Sequence, residues 1–532
     1  MNVNSASPNR MCDRPPPARE DTRTNEDTDY SRVLPFFLGR IQANQARLFN
    51  FASDDFYEED SDDSDGEHHL SSLYTLSMGG GLMSRKYYFQ LVSAATSPDN
   101  SGILSNDIYG IVKQQSGSTN TSQPESRMCL PSLLQQRECG MPCGGTFSRG
   151  DRCRIGSRLL PNYKMHTLNY PSKAFCGTFA GNGEVFMTAC QDCMIRIYDT
   201  KQATFREVKS ISARDVGWSI LDMAVSPNGA HFVYSSWSEY LHLCNVFGDD
   251  EVHEALPLCP DDRRFCIFAL QFSCDGNDIL GGANDSCLYV YDREMHHRSL
   301  RIRAHDGDVN TVAFADKTSQ ILFSGGDDGL CKVWDRRTLS EGNPKPVGIL
   351  AGHSNGITFV DSKGDARYLI TNSKDQSIKL WDMRAFSSKE GIESTRIAVA
   401  YQNWDYRWQR VPKKLLDRYV KLAGDTSLMT YQGHTVLQTL IRCHFSPAAT
   451  TAQQFIYTGC ASGRVVVYDL LTGKVATVLS GHRGCVRDVS WHPNLPVLVS
   501  SSWDGAICEW VYSSDPDSKK GRGKRTRSAR QQ

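Results

Sequence analysis

The feature that most constrains this chain is a strand ending that recurs at a regular interval. Each copy ends in a pair of residues, most often an aromatic residue followed by Asp. The seven pairs are Tyr198-Asp199, Cys244-Asn245, Tyr291-Asp292, Trp334-Asp335, Trp381-Asp382, Tyr468-Asp469 and Trp510-Val511. All intervals but one are about 40 to 50 residues, which is the length of one four-stranded blade. The sequence therefore predicts an all-β fold, a seven-bladed β-propeller.

The residues between these endings have the pattern of short strands. Runs of β-branched and aromatic residues, such as Val465 to Tyr468, alternate with turns rich in Asp, Gly and Asn. We predict that the propeller spans residues 160–513. Residues 163–170 are expected to supply the outermost strand of the last blade, because closing the ring removes the free sheet edges.

Two repeats contain polar residues at matching positions, which predicts a buried hydrogen-bond network in each. The predicted members are His353, Ser373, Asp375 and Trp381 in one repeat, and His482, Ser502, Asp504 and Trp510 in the other. A catalytic Ser-His-Asp set needs an exposed nucleophile beside a base, whereas this trio recurs at a fixed offset within repeats. We therefore interpret both sets as structural and predict no catalytic residue.

The first 150 residues have the composition of a disordered region. An acidic run occupies residues 54–67, and Ser, Asn, Gln and Gly are abundant in the stretch after it. Residues 1–150 are thus predicted to be largely disordered, except that residues 31–50 have the apolar periodicity of a helix. This helix could dock on the chain's own propeller or in the groove of a partner, and the residues leave both alternatives open.

The one doubled interval predicts an insertion at about residues 386–431. Its aromatic and basic side chains could stack on nucleic acid or pack a long loop onto a blade, and they are Tyr401, Trp404, Tyr406, Trp408, Arg410, Lys413, Lys414 and Arg418. No nucleic-acid-binding motif surrounds them, so we expect no nucleic-acid partner. Although Trp404 to Arg407 repeats the Trp-Asp-x-Arg pattern, no strand run precedes it, and we predict that it does not end a blade.

The remaining features argue against a membrane, metal or cofactor site. No segment approaches the length needed to cross a bilayer, and no phosphate-binding Gly-rich loop is present. Many of the 18 cysteines fall at strand positions, where Cys acts as a small apolar residue in a reducing compartment. A cluster near the propeller lacks the paired short spacings of a zinc site, and its members are Cys129, Cys139, Cys143 and Cys153. We predict no metal and no cofactor.

Two successive repeats end in a more specific pattern, Trp-Asp-x-Arg. The first runs from Trp334 to Arg337 and the second from Trp381 to Arg384. Each Arg could form a salt bridge within its own rim, but exposed pairs of that kind add little stability. Two permanently charged, bidentate donors at equivalent positions therefore favour an interface with a partner's carboxylates.

These two Trp-Asp-x-Arg endings, which we call boxes, resemble the double box of the WD-repeat substrate receptors of cullin-4 RING ubiquitin ligases. In that family the box arginines contact the adaptor damaged-DNA-binding protein 1. The resemblance implies an adaptor-binding site at Arg337 and Arg384, supported by Asp335 and Asp382. It also implies association, through the adaptor, with cullin-4 and a RING subunit, which would carry out ubiquitin transfer to bound protein substrates.

In that family a helical element before the propeller can also enter the adaptor's cleft, which makes residues 31–50 a candidate. The basic tail at residues 514–532 is consistent with nuclear import or with a solvated terminus, and we expect the protein in nucleus and cytoplasm. An alternative function remains, that of a noncatalytic scaffold or a peptide or histone reader in a nuclear complex.

Overall fold

The computed structural model describes residues 98–117, 130–139, 146–201, 205–248, 252–260, 264–413, 415 and 421–515. These ranges contain seven antiparallel sheets of four strands each, which are the blades. Contacts join the first strands of blades 7, 1, 2, 3, 4, 5 and 6 in turn, and the first strand of blade 7 contacts the second strand of blade 6. The prediction of a seven-bladed propeller is confirmed. The helix predicted at 31–50, the acidic run at 54–67 and most of the basic tail lie outside the described residues.

Blades 1 to 4 are built from consecutive strands. Their bounds in chain order are β2 Ala174–Ala180, β3 Val185–Cys190, β4 Met194–Asp199, β5 Arg206–Ser212, β6 Asp222–Val225, β7 His231–Ser235, β8 Tyr240–Asn245, β9 His253–Pro257, β10 Ile267–Phe272, β11 Asp278–Ala283, β12 Cys287–Asp292, β13 His297–Arg303, β14 Val309–Phe314, β15 Ile321–Gly326, β16 Cys331–Asp335 and β17 Gly348–Leu350.

Blades 5 to 7 follow the same plan, but blade 7 takes its fourth strand from the start of the propeller. Their strands are β18 Ile357–Ser362, β19 Tyr368–Ser373, β20 Ile378–Asp382, β21 Met429–Tyr431, β22 Cys443–Phe445, β23 Phe455–Cys460, β24 Arg464–Asp469, β25 Val475–Ser480, β26 Val486–Trp491, β27 Val497–Ser502, β28 Ala506–Val511 and β1 Tyr163–Asn169. In every blade, the third strand ends at the repeated residue pair identified in the sequence.

The ring closes through β1, as the sequence predicts. This strand pairs antiparallel with β28, from Tyr163 opposite Val511 to Asn169 opposite Ala506. The apolar core lies between adjacent blades. For example, Trp381 is 1% exposed and packs with Phe323 and Val333 of the preceding blade. Each blade thus buries one face against its neighbour, which a single blade could not do alone.

Six α-helices with described bounds lie outside the sheets. Their bounds are α1 Ser101–Leu104, α2 Ile108–Gln115, α3 Leu130–Glu138, α4 Arg149–Gly156, α5 Lys389–Ala400 and α6 Ala448–Thr451. None of these helices is long and apolar enough to span a membrane.

The prediction that residues 1–150 are largely disordered is wrong for the segment from 98 to 117. Ile103, Ile108 and Val112 of α1 and α2 are fully buried in a cluster formed by blades 5 and 6. Burial of these three side chains favours docking of the helix pair and opposes the entropy cost of ordering the segment. Composition alone missed this because the two short apolar groups, at residues 103–104 and 108–112, are surrounded by Ser, Asn, Asp, Gln and Gly.

A second ordered element precedes the predicted start of the propeller at residue 160. Gly156 of α4 lies so close to α6 that a Cβ there would be 2.0 Å from the carbonyl oxygen of Thr450. Cys153 of α4 is buried, and its thiol donates to the carbonyls of Ala448 and Ala449. The folded unit therefore begins before residue 160.

The predicted insertion at 386–431 also needs correction. Its last three residues are β21, the fourth strand of blade 5, and residues 389–400 form α5 rather than a loop. Gly329, in the turn after β15, has a φ of +74° and would place a Cβ only 2.7 Å from Val399 of α5. Glycine at this turn lets the helix pack closely against blade 4.

We predict that Ile108→Ala lowers the free energy of unfolding by about 2 to 4 kcal/mol, because it leaves a cavity between α2 and blades 5 and 6. Urea unfolding of the full chain measures this. The matched control is Leu104→Ala, which removes a side chain that is 56% exposed in the same helix pair and should cost less than about 1 kcal/mol. Equal stabilities for the two variants would show that the helix pair is not docked.

Candidate functional site

The two faces of the propeller carry different polar groups. We call one the box face, where the third strands of blades 4 and 5 end at Asp335 and Asp382. The opposite one is the histidine face, where His353 and His482 lie in the loops before the first strands of blades 5 and 7. Because the third strand runs in the same direction in every blade, the residues that follow it lie on the same face of the propeller.

A hydrogen-bond network joins the histidine face to the interior of blade 5. His353 Nδ1 lies 2.9 Å from Asp375 Oδ2, and His353 Nε2 lies 2.6 Å from Thr371 Oγ1. The Trp381 indole donates to the same Thr371 hydroxyl at 2.8 Å. Burial alone would raise the pKa of Asp375, but the charge and hydrogen bond of His353 lower that pKa to about 2. The network is buried and structural.

The predicted hydroxyl members, Ser373 and Ser502, are wrong. Thr371 takes the place of Ser373, and Ser500 takes that of Ser502, bonding His482 Nε2 and the Trp510 indole at 2.7 Å each. Trp381 lies opposite Leu369 in the sheet, so a hydroxyl two residues along is roughly 7 Å away and one four residues along is roughly 13 Å away. Only the nearer hydroxyl reaches both rings.

Ser373 and Ser502 instead hold the turns at the ends of their strands. The Ser373 hydroxyl donates to the carbonyls of Asn355 and Gly356, and Ser502 accepts from the Asp504 amide. A third complete network joins His305, Ser324, Asp328 and Trp334. In all three networks the hydroxyl precedes the Trp by ten residues, a fixed offset that the sequence contained.

We predict that Ser500→Ala destabilises the protein by about 1 to 3 kcal/mol, because it leaves the His482 and Trp510 ring nitrogens buried without a partner. Ser502→Ala is the matched control, since it removes the same atom from an equally buried site that has one long hydrogen bond, at 3.3 Å. Thermal unfolding of the two variants checks the difference. A larger loss for Ser502→Ala would contradict the observed network.

The two box arginines have the same local geometry on the box face. Arg337 donates through Nε and Nη2 to the Asp335 carboxylate at 2.9 and 2.7 Å, and Arg384 does so to Asp382 at 3.2 and 2.9 Å. Each Asp also accepts the backbone amide of its Arg. The carboxylate thus fixes one edge of the guanidinium, while the Nη1 group makes no hydrogen bond to any described residue.

Exposure agrees with this arrangement. The side chains of Arg337 and Arg384 are 67% and 58% exposed, whereas those of Asp335 and Asp382 are 13% and 3% exposed. The hydrogen bond from Arg337 holds the pKa of Asp335 below its usual value. Each box therefore presents an oriented cation to solvent on a rigid strand end.

The N-terminal helix pair lies beside only one of the two boxes. Asn106 donates to Asp382 at 3.1 Å, and Asp107 lies 2.7 Å from Arg367 and 3.4 Å from Arg384. The same helix pair exposes Leu104 and Tyr109. The box face thus combines two oriented cations with apolar side chains from a segment that the composition predicted to be disordered.

The third Trp-Asp-x-Arg copy does not lie on this face. Arg407 pairs with Asp405 in the same bidentate way, but no strand precedes it. The carbonyl of Tyr406 accepts from the Gln438 amide, and the Tyr406 ring lies 4.3 Å from the Lys374 ammonium. Both partners belong to loops of the histidine face, so the insertion carries this copy across to the opposite side of the propeller.

The described residues include no group of His, Cys, Asp and Glu side chains arranged to hold a metal. Of the four cysteines considered as zinc ligands, Cys129 and Cys143 lie outside the described residues. Cys139 is exposed and Cys153 is buried, and both are free thiols. Burial raises the pKa of the Cys153 thiol, which suits a packing role.

Comparison with known proteins agrees with the repeats and extends beyond them. The WD domain, G-beta repeat family matches residues 297–335, 344–382 and 473–510. The LEC14B protein of Lithospermum erythrorhizon is 42% identical over 72% of this chain and 82% of its own length. Two proteins called DDB1- and CUL4-associated factor 11 homolog also match. The one from Caenorhabditis briggsae is 38% identical over 69% of this chain and 68% of its own length. The one from Caenorhabditis elegans is 42% identical over 68% and 64%.

The chain belongs to the family of WD-repeat proteins formed by these relatives, which we call the associated-factor-11 family. The resemblance noted from the double box therefore agrees with similarity over most of the chain, since these relatives share far more than the three matched repeats.

One further buried histidine, His434, makes the stability of the protein depend on pH. His434 is fully buried, with its ring nitrogens 3.0 Å from the Tyr468 hydroxyl and 2.9 Å from Asn372 Oδ1. Burial lowers the pKa of His434 from 6.5 to about 4, so the folded protein keeps this ring neutral. Below pH 6.5 this histidine binds a proton in the unfolded chain but not in the folded chain. The free energy of unfolding therefore decreases as the pH falls.

We predict that this histidine removes about 2 kcal/mol of stability between pH 7 and pH 5. His434→Gln should lose correspondingly less over that interval, although it is less stable at pH 7. Urea unfolding at both pH values measures the slopes, with His296→Gln as the control because that side chain is 67% exposed. Identical pH slopes in wild type and His434→Gln would contradict a neutral buried ring.

Proposed function

We propose that this chain is the substrate-recognition subunit of a cullin-4 RING ubiquitin ligase. In this role the box face binds the adaptor damaged-DNA-binding protein 1, which links it to cullin-4 and a RING subunit. The propeller presents protein substrates for ubiquitination and proteasomal degradation, and ubiquitin transfer belongs to the partners. The names of the two nematode relatives, which refer to DDB1 and CUL4, support the assignment.

The observation that carries the proposal is the matched pair of exposed arginines at Arg337 and Arg384. Both follow third strands of adjacent blades, and both are held by an aspartate two residues earlier. A guanidinium whose geometry is fixed in advance loses little side-chain entropy when it pairs with a carboxylate. Two such groups on one rigid face suit a partner with acidic residues at a matching separation.

The helix pair extends this surface beside Arg384. Leu104 is 56% exposed and Tyr109 is 37% exposed, which adds apolar area next to the cation. Interfaces commonly combine an aromatic or aliphatic contact with arginine anchors. We propose that the adaptor contacts both the box and the helix pair, so residues 98–117 take the role that the sequence suggested for residues 31–50.

The noncatalytic character of the chain is part of the proposal. Its recurrent His, Asp and hydroxyl side chains are used in buried networks that hold Trp334, Trp381 and Trp510. We further propose that the protein acts in both nucleus and cytoplasm, for which the basic residues between Lys519 and Arg530 provide the sequence support.

We predict that Arg337→Ala combined with Arg384→Ala reduces co-purification of the adaptor at least tenfold. The reason is that each substitution removes an oriented charge-assisted contact, and each such contact contributes about 1.5 to 3 kcal/mol. Affinity purification of the full chain from cells, followed by quantitative mass spectrometry of the adaptor and cullin-4, measures the effect. Thermal stability should change little, because both side chains are exposed.

Arg407→Ala is the matched control, since Arg407 has the same pairing with an aspartate but lies on the histidine face. It should retain adaptor binding. Normal adaptor recovery with the folded double variant would refute the receptor assignment. Recovery of chromatin subunits in place of the adaptor would instead favour a nuclear scaffold or histone reader.

A further inference from the structure

Five aromatic side chains form a curved row on the histidine face, which we call the aromatic arc. They come from the loops and strand starts of blades 7, 1, 2 and 3, and they are Trp503, Phe175, Trp218, Trp237 and Phe268. Trp218 is 50% exposed, Trp237, Phe268 and Trp503 are partly exposed, and Phe175, which is 1% exposed, packs beneath Trp218 and Trp503. Aromatic groups grouped in this way on a surface mark an interaction site more often than scattered apolar residues do.

The arc is continuous because its members pack on one another. Phe175 lies 5.5 Å from Trp503 and 5.3 Å from Trp218 between ring centroids, and Trp237 lies 6.5 Å from Phe268. Gly217 joins the two groups, since a Cβ at this position would be 2.9 Å from the Cβ of Trp237. The row is therefore held rigid before any ligand arrives, which lowers the entropy cost of binding.

A carboxylate lies at the blade 3–4 end of the arc. Asp308 lies just before β14, and its side chain makes no hydrogen bond to any residue that the structure describes. Burial and the neighbouring Asp327 raise the pKa of Asp308 to about 6, and Lys374 and Arg407 offset only part of this. Asp308 immediately precedes β14, which contacts β10, and Phe268 is the second residue of β10, so the carboxylate and the end of the arc lie at the starts of adjacent strands.

The nearby cations are engaged with other carboxylates. Lys374 Nζ lies 2.6 Å from Asp327, and Arg407 forms a bidentate pair with Asp405. The remaining acidic neighbour, Asp285, pairs with Arg301. Asp308 is thus a partly buried anion that an incoming cation could neutralise, and such a contact is worth more than one on an open surface.

We infer that the aromatic arc and Asp308 form a binding site for a peptide segment in which an arginine lies next to an aromatic or aliphatic residue. Lys173 already lies 4.2 Å from the Trp503 ring, so Trp218, Trp237 and Phe268 would accept the apolar side chain and the face of the guanidinium, and Asp308 would pair with its charge. This inference rests on the proposed function, because it names the class of substrate segment that the histidine face recognises.

The test uses three fluorescein-labelled Gly/Ser peptides with the cores Phe-Arg, Phe-Glu and Ala-Arg. Fluorescence anisotropy with the full chain at pH 7.5 measures their binding. The Phe-Arg peptide should bind about tenfold more tightly than either other peptide. Trp218→Ala should weaken Phe-Arg binding about fivefold through the lost stacking, and Asp308→Asn should reduce the preference for Arg over Glu by a similar factor.

Two variants serve as matched controls that should bind the Phe-Arg peptide like wild type. Trp408→Ala removes a tryptophan that is 68% exposed on the insertion, and Asp306→Asn removes an aspartate that is 68% exposed and two residues from Asp308. Equal or tighter binding of the Phe-Glu peptide would overturn the inference. So would the absence of saturable Phe-Arg binding up to about 1 mM, or an unchanged affinity in Trp218→Ala.

The inference and the proposed function can fail separately. The Arg337→Ala, Arg384→Ala double variant should bind the Phe-Arg peptide as wild type does, since its substitutions lie on the opposite face. Adaptor co-purification without a preference for the Phe-Arg peptide would overturn the peptide site alone. Selective peptide binding by a chain that fails to recruit the adaptor would overturn the receptor role and leave the peptide site standing.

Discussion

The pairing of β1 with β28 is the constraint on which the rest of the structure depends. It joins the start of the propeller to its last blade through a ladder from Tyr163 to Asn169. Without it, blade 7 would have three strands, and the outer edge of β28 would lack its partner. With the ring closed, every blade has two neighbours, and the positions of the strand ends on each face become fixed. The separation of Arg337 and Arg384 results from that geometry.

The polar networks inside the blades and the boxes on the surface use the same side-chain types for different purposes. In blade 5, Asp375 pairs with the fully buried His353, and this pairing lowers the pKa of Asp375 to about 2. The pair holds the loop before the blade against its second and third strands. Asp382, at the end of the third strand of that blade, instead holds an arginine that points into solvent. Burial decides whether a charged pair fixes the fold or is offered to a partner.

The insertion in blade 5 links the two faces. It begins after β20 and ends at β21, both of which meet the box face, yet its middle part reaches Lys374 and Gln438 on the histidine face. The described part of the insertion contacts Gly329, Lys374 and Gln438 of blades 4 to 6, whereas the aromatic arc belongs to blades 7, 1, 2 and 3. The fold thereby leaves one surface for the adaptor that we propose and a separate one for a substrate segment.

The sequence by itself determined the number of blades, the residue that ends each third strand and the closing strand, because these depend on a repeat whose period is visible along the chain. It also placed both box arginines, since each follows its strand end directly. Within blade 5, the tertiary structure decided between two hydroxyls, because Thr371 and Ser373 lie two residues apart on one strand and the cross-strand register of Trp381 separates them. Likewise, no local pattern marks Asp107 as a neighbour of Arg384, or Phe175 as a neighbour of Trp503, because both contacts join residues far apart in sequence. The first forms when the helix pair docks on blade 5, and the second forms when blades 1 and 7 meet at the closure of the ring.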